Sequence, residues 1–260
     1  MFDLARFRRL LNAHWAEQWR AHAWFLGVGV MVHFVATLMI LSRRATYSTE
    51  VQEVLFVVGL LLTAPLFAGR LFVGLSRPEA ALVFLMRPAS GFEKWLLAFL
   101  MVMVFYPLAY ALAFQVCHVP AWAFEYVRVQ GMAADLLAQG KEVGPELQPE
   151  KWMFWHPWRF SDGKDLVVLL VWLSISQSFV LLGSLWFRRL PALKTVLAAF
   201  LLYLVSIGLD MAFPTAAPWI GNLDRATAPW QMVHSYAWWI GIPLLLWLAC
   251  YFALRERELA

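Results

Sequence analysis

The sequence predicts an all-α membrane protein: six transmembrane helices, an N-terminal interfacial amphipathic helix, and a short cytoplasmic helix between spans two and three. Of the 260 residues, 62% are hydrophobic and 15% are charged, whereas soluble domains are about half apolar and a quarter charged. The apolar residues form six runs of about 20 residues, long enough to cross roughly 30 Å of hydrocarbon as helices. Because the runs are continuous rather than alternating, they favour membrane helices over membrane strands.

Residues 1–21 form the first predicted element, an amphipathic helix. Its apolar face carries Leu4, Phe7, Leu11 and Trp15, and its polar face carries Arg6, Arg9, Glu17 and Arg20. This division predicts a helix that lies in the inner membrane interface with its basic side toward the headgroups. An ordinary membrane-entry helix with no further function fits the pattern equally well.

The six spans follow, and they make residues 1–260 a single transmembrane domain. The predicted spans are Ala23–Leu41, Val54–Gly74, Trp95–Gln115, Leu166–Phe187, Thr195–Phe213 and Met232–Leu254. Lys and Arg are more frequent on the side that holds both termini, which predicts that the N- and C-termini are cytoplasmic, although Arg43 and Arg44 oppose this orientation. The basic rim favours the anionic bilayer surface as a partner, and nothing in the sequence points to nucleic acid.

The cytoplasmic link 75–94 carries two helix-start signals. Residues 76–79 (Ser-Arg-Pro-Glu) have capping-box spacing and begin a short apolar helix. Pro88 ends that helix, and Ser90 with Glu93 forms a second capping box that begins the third span. The pattern of the link therefore predicts a helix, a break and a second helix.

Residues 116–164 form the predicted extracytoplasmic loop. Its first part, 121–139, has helical character, and residues 140–145 form a turn. The aromatic run Lys151–Phe160 could hold an amphipathic ligand, but such runs more commonly rest in the membrane interface.

The chain has no recognisable catalytic, cofactor or metal site of its own. Its six histidines lack paired ligand spacing, and neither of its two Gly-Lys pairs is followed by the Ser or Thr of a phosphate loop. If ATP drives the protein, another chain binds it. Cys117 and Cys250 are predicted near opposite membrane faces, which excludes a disulfide between them.

Polar residues inside the spans are the candidates for lining a pathway. Ser174, Gln177 and Ser178 share one face of the fourth span, and Asp210 lies near the end of the fifth. The serine and glutamine face either contacts another helix, which is the commoner case, or lines a pathway. Asp210 either contacts substrate or caps the turn at residues 213–214.

The sequence Arg87-Pro88-Ala89-Ser90-Gly91-Phe92-Glu93-Lys94 resembles the Leu-Pro-Ala-Ser-x-x-Glu-Lys segment of bacterial ATP-binding-cassette (ABC) exporters of the type-two permease class. In that class it follows the second spanning helix of the membrane subunit. The order of parts is also similar: an interfacial helix, six spans and both termini inside. Arg87 departs from the usual Leu.

The resemblance implies a permease subunit of the bacterial inner membrane that acts as a homodimer with a cytoplasmic ABC ATPase. That partner would hold the ATP and Mg, and the substrate would be hydrophobic or amphipathic. The implied ATPase-coupling residues are Arg77, Glu79, Arg87, Pro88, Ala89, Ser90, Glu93 and Lys94.

Two other functional classes remain open on the sequence. A membrane-embedded lipid-modifying enzyme would not co-purify with an ATPase. A non-transporting anchor or assembly subunit would show no nucleotide-dependent movement of substrate.

Overall fold

The computed structural model describes residues 2–42, 47–72, 86–144, 163–187 and 229–259, together with 194–195, 197–201 and 204. Most of these described residues are helical, the rest lie in turns or short irregular segments, and none lies in a strand. The helices are α1 (Leu4–Ser42), α2 (Thr49–Leu71), α3 (Gly91–Leu100), α4 (Tyr106–Ala138), α5 (Gly163–Trp186) and α6 (Pro229–Leu259), and a π-helical turn, Met101–Phe105, joins α3 to α4.

Five helical stretches in the described part of the chain are long and apolar enough to cross a membrane. They are Leu4–Ser42, Glu50–Leu71, Gly91–Ala138, Leu166–Trp186 and Trp239–Glu256. They correspond to the first four predicted spans and the sixth. The fifth predicted span, Thr195–Phe213, lies mostly outside the described residues, so the number six stays a prediction. Arg77, Glu79, Asp210, the short helix after Ser76 and the run 151–160 also lie outside them.

Helix α1 contains two elements that the sequence predicts as separate. From Leu4 onward, the N-terminal segment and the span Ala23–Leu41 form one helix of 39 residues, about 58 Å long, and no proline interrupts it. Asp3 precedes its first turn and accepts hydrogen bonds at Oδ1 from the backbone N–H groups of Ala5 (2.8 Å) and Arg6 (3.3 Å). This is an N-cap arrangement.

The N-terminal part of α1 buries a narrower stripe than its apolar face. Phe7, Leu10 and His14 are buried, whereas Leu4, Trp15 and Trp19 are exposed. A helix that lies in a membrane interface is expected to present exposed apolar residues to the lipid. The exposure of these side chains is consistent with the interfacial placement, which stays a prediction.

The third span continues past residue 115 without a break, contrary to the boundary predicted there. From Gly91 the chain stays helical to Ala138, and Gly140 then adopts a left-handed conformation with φ 70°. The N–H groups of Gly140 and Lys141 donate to the carbonyls of Leu137 and Leu136, both at 3.0 Å, which is a Schellman cap. The predicted helix over 121–139 is thereby confirmed as far as Ala138. The turn predicted over 140–145 begins at Gly140, and residue 145 lies outside the described residues.

The chain forms two compact units. Unit 1 contains Met1–Glu17, Leu61–Phe105 and Val167–Ala260, and unit 2 contains Gln18–Leu60 and Tyr106–Leu166. The core of unit 1 is apolar and comprises Ala68, Phe72, Ala98, Val102, Leu181, Leu185, Trp247, Cys250 and Leu254. In unit 2 the core is aromatic, with Phe56 packed against Tyr110 and Phe114 at ring distances of 5.3 and 5.2 Å.

Candidate functional site

The predicted capping box at the start of α3 is present. Ser90 has extended backbone angles, and its Oγ accepts a hydrogen bond from the Glu93 N–H at 3.3 Å. In return, Glu93 Oε2 accepts from the Ser90 N–H at 2.9 Å. The two residues therefore satisfy one another's backbone donors, as the sequence predicted.

The Glu93 carboxylate also binds the start of α1, which the sequence did not predict. Its Oε1 accepts from the Asp3 N–H at 3.0 Å and from Arg6 Nη2 at 2.7 Å. Its Oε2 accepts from Arg6 Nε at 2.8 Å. The carboxylate is fully buried, but four donors surround it, and the first turns of two helices meet there. Both the bidentate guanidinium and the positive helix ends favour the ionised form.

A second ion pair joins the same two segments. Arg87, in the turn before Ser90, donates from Nη2 to Glu17 Oε1 at 2.7 Å. Arg6, Glu17, Arg87 and Glu93 are called the clasp below. Its two pairs have opposite polarity, because α1 supplies the arginine in one pair and the glutamate in the other. The clasp thus holds residues 87–93 against the first turns of α1.

The other predicted link residues lie around the clasp. Pro88 is exposed, whereas Ala89 is half-buried, and the Ala89 N–H donates to the Arg87 carbonyl at 2.7 Å. Lys94 is almost completely buried, and its N–H begins the α3 ladder at the Ser90 carbonyl. The arrangement is a compact turn that the two ion pairs and the capping box brace.

The π-helical turn explains one of the predicted polar residues in the spans. Pro107 has no N–H, so the Val102 carbonyl, five residues earlier, receives no π-type hydrogen bond from it. Gln177 on α5 is fully buried, and its Nε2 donates to that carbonyl at 3.1 Å. The side-chain amide thus replaces a backbone donor that proline removes.

Ser174 and Ser178 also contact neighbouring helical segments. Ser174 Oγ accepts from Trp247 Nε1 at 3.0 Å, and the Trp247 carbonyl accepts from Trp95 Nε1 at 3.0 Å. The thiol of Cys250 donates to the Ser178 carbonyl at 3.4 Å. The face shared by Ser174, Gln177 and Ser178 therefore makes interhelical hydrogen bonds within unit 1.

We expect Gln177→Leu to destabilise the protein by about 1 kcal/mol, which is typical of an interhelical hydrogen bond in a membrane. In a Pro107→Ala background the cost should shrink, because that substitution restores a backbone N–H donor. Melting temperatures of the four proteins in detergent would measure this coupling. Equal losses in the two backgrounds would show that Gln177 does not compensate for the proline.

A second polar cluster, in unit 2, was not anticipated from the sequence. Glu125 Oε1 accepts from the Tyr47 N–H at 3.2 Å and from Arg128 Nη2 at 2.8 Å. The Tyr47 hydroxyl lies 3.3 Å from His118 Nδ1, and Gln52 Nε2 donates to the Tyr47 carbonyl at 3.0 Å. The cluster fixes Tyr47, between α1 and α2, against α4. Only the spacing of His118 and Glu125 on one helix face hints at it in the sequence.

Among the described residues, no three His, Cys, Asp or Glu side chains converge in an arrangement that could hold a metal ion. The chain matches no protein-family model, no curated protein and no solved structure.

Proposed function

We propose that this chain is the membrane-spanning permease subunit of an ATP-driven ABC exporter. A separate cytoplasmic subunit would bind and hydrolyse ATP with Mg, and the chain would move a hydrophobic or amphipathic substrate. The proposal rests on the resemblance of residues 87–94 and on the long apolar helices.

The clasp is the observation that carries the proposal. A segment that receives force from a moving partner must be braced, or the force is lost in local bending. Residues 87–93 are held by a capping box, a bidentate Arg6–Glu93 pair and the Arg87–Glu17 pair. A displacement of this segment would therefore move α1 and α3 together. Such a braced turn fits the coupling role better than that of a simple helix start.

We further propose that two copies of the chain form the transporter in the bacterial inner membrane, with N- and C-termini in the cytoplasm. A cleft between two copies would supply the pathway, and closed two-fold assemblies are the commonest oligomers. Crosslinking in native membranes should give a dimer band, and a purely monomeric pattern would contradict this part of the proposal.

The function is tested by purification from native membranes. We expect a phosphate-loop ATPase to co-purify with the chain and its hydrolysis rate to rise when the two are reconstituted together in liposomes. Absence of any ATPase, together with intact and folded chain, would contradict an exporter and favour one of the other two classes.

A charge swap tests the clasp within this complex. We expect Arg87→Glu and Glu17→Arg to lower the stimulated ATPase rate up to about fivefold each, since a pair of this exposure contributes at most about 1 kcal/mol. The double variant should recover the rate, because the pair reforms with reversed polarity. Arg9→Glu, at an exposed position of α1, is the matched control. If the ATPase rate of the double variant stays low, the Arg87–Glu17 pair is not what couples this segment to the ATPase.

A further inference from the structure

An apolar groove of about 330 Å³ lies within unit 2, between the C-terminal turns of α1 and the middle of α4. Its volume is in the range of small-molecule sites. Helix α1 contributes five residues and α4 contributes four: Phe34, Thr37, Leu38, Leu41, Ser42, Cys117, Pro120, Ala121 and Phe124.

The polar groups in the lining are already engaged by backbone carbonyls. The three bonds run from Thr37 Oγ1 to His33 O at 3.0 Å, from Ser42 Oγ to Met39 O at 2.9 Å and from Cys117 Sγ to Val30 O at 3.5 Å. The rest of the lining is hydrocarbon. These bonds commit the side-chain hydrogens and leave only the hydroxyl oxygens of Thr37 and Ser42 as weak acceptors. A charged ligand group at this depth would lose its hydration without gaining a charged partner from the lining. The groove is therefore suited to a plain hydrocarbon chain.

The groove is continuous with the surface that faces the bilayer. Its rim residues Phe34, Leu38 and Phe124 are between 41% and 57% exposed. Exposed apolar side chains continue from the rim along both candidate spans, for example Met31 on α1 and Val116 on α4. Lipid is the solvent of this surface, and an empty groove would forfeit the dispersion contacts that an inserted chain provides. The occupant is thus expected to come from the membrane.

We propose that this groove holds one acyl chain of a bilayer phospholipid, which stays with the protein as a bound lipid. The chain enters at the Ser42 end, where the apolar span gives way to polar sequence.

The test uses the full chain in liposomes that contain phosphatidylglycerol with a photoactivatable diazirine in one acyl chain. After illumination, labelled peptides should concentrate in residues 34–42 and 117–124, and excess unlabelled phosphatidylglycerol should reduce this labelling several-fold. Native mass spectrometry of the detergent-solubilised protein should show one retained phospholipid. Labelling spread evenly over the exposed apolar faces would overturn the proposal.

Two groove-filling variants sharpen the experiment. Ala121→Leu and Ser42→Leu add bulk to the lining and should remove both the groove labelling and the retained lipid. Leu112→Phe, at an exposed position of α4 outside the groove, should change neither. If Ala121→Leu does not fold, Ser42→Leu at the exposed helix end still decides the question. Retention of the lipid in a folded groove variant, or crosslinking of the groove to a second copy of the chain, would overturn the proposal.

Discussion

Glu93→Ala should leave the protein inserted in the membrane but, in the proposed exporter, strongly weaken its stimulation of the proposed partner ATPase. The substitution removes the acceptor of four hydrogen bonds at once. The starts of α1 and α3 each lose a capping interaction, and each loss costs about 1 kcal/mol. A combined loss of about 2 kcal/mol corresponds to up to a 30-fold change in an equilibrium, yet it is too small to unfold packed membrane helices.

ATPase rates of the reconstituted complex would measure this effect, and dimer content and melting temperature would serve as folding controls. Ser90→Ala removes only one acceptor of the capping box and should give a smaller loss than Glu93→Ala. Glu93→Gln keeps one acceptor oxygen and should fall between the two. If Glu93→Ala and the double variant with Ser90→Ala both stimulate the ATPase as the wild type does, this segment only starts a helix and has no role in coupling.

Gly59→Ala is expected to destabilise unit 2 by about 1–3 kcal/mol, the usual cost of overpacking. A Cβ at this position would overlap the Tyr110 hydroxyl oxygen and lie 3.3 Å from Cζ. The ring cannot easily withdraw, because its hydroxyl donates to the Phe56 carbonyl at 3.2 Å and its side chain is buried. The melting temperature in detergent should fall accordingly.

Tyr110→Phe should partly rescue Gly59→Ala, because it deletes the overlapping oxygen at the cost of one hydrogen bond of about 1 kcal/mol. Gly131→Ala is the matched control: it is also helical but has open space around the new Cβ, and it should be neutral or slightly stabilising. If Gly59→Ala and Gly131→Ala have the same melting temperature, the space between Gly59 and the Tyr110 side chain is large enough for a methyl group.

The sequence predicted the capping box at Ser90 and Glu93 because that signal is local: four residues contain all of it. It could not predict that Glu93 binds Arg6, since the partners are 87 residues apart and depend on packing. Arg6 and Glu17 lie on the polar face of the N-terminal segment, and this pattern predicts contact with lipid headgroups. Hydropathy and periodicity show that a helix has a polar face, but they do not show which residues that face contacts.

The span boundaries show a different limit. Hydropathy falls after Gln115, but the helix continues to Ala138 because the backbone ladder persists until a capping conformation ends it at Gly140. The polarity of a segment indicates whether a helix is surrounded by lipid or by water, and it does not indicate where the helix ends. The π-helical turn likewise had one available signal, Pro107 within an apolar run, whose effect depends on where neighbouring donors lie.

The two native thiols have a practical consequence for establishing which way the chain is inserted. Cys117 and Cys250 are unbridged and almost fully buried, and each donates to a backbone carbonyl. A membrane-impermeant maleimide should therefore find no reactive thiol on the unmodified chain. The wild-type protein can then serve as the unlabelled control. Labelling of a single cysteine introduced at Gly144 would show on which side of the membrane this residue lies, and the native cysteines need not be removed first.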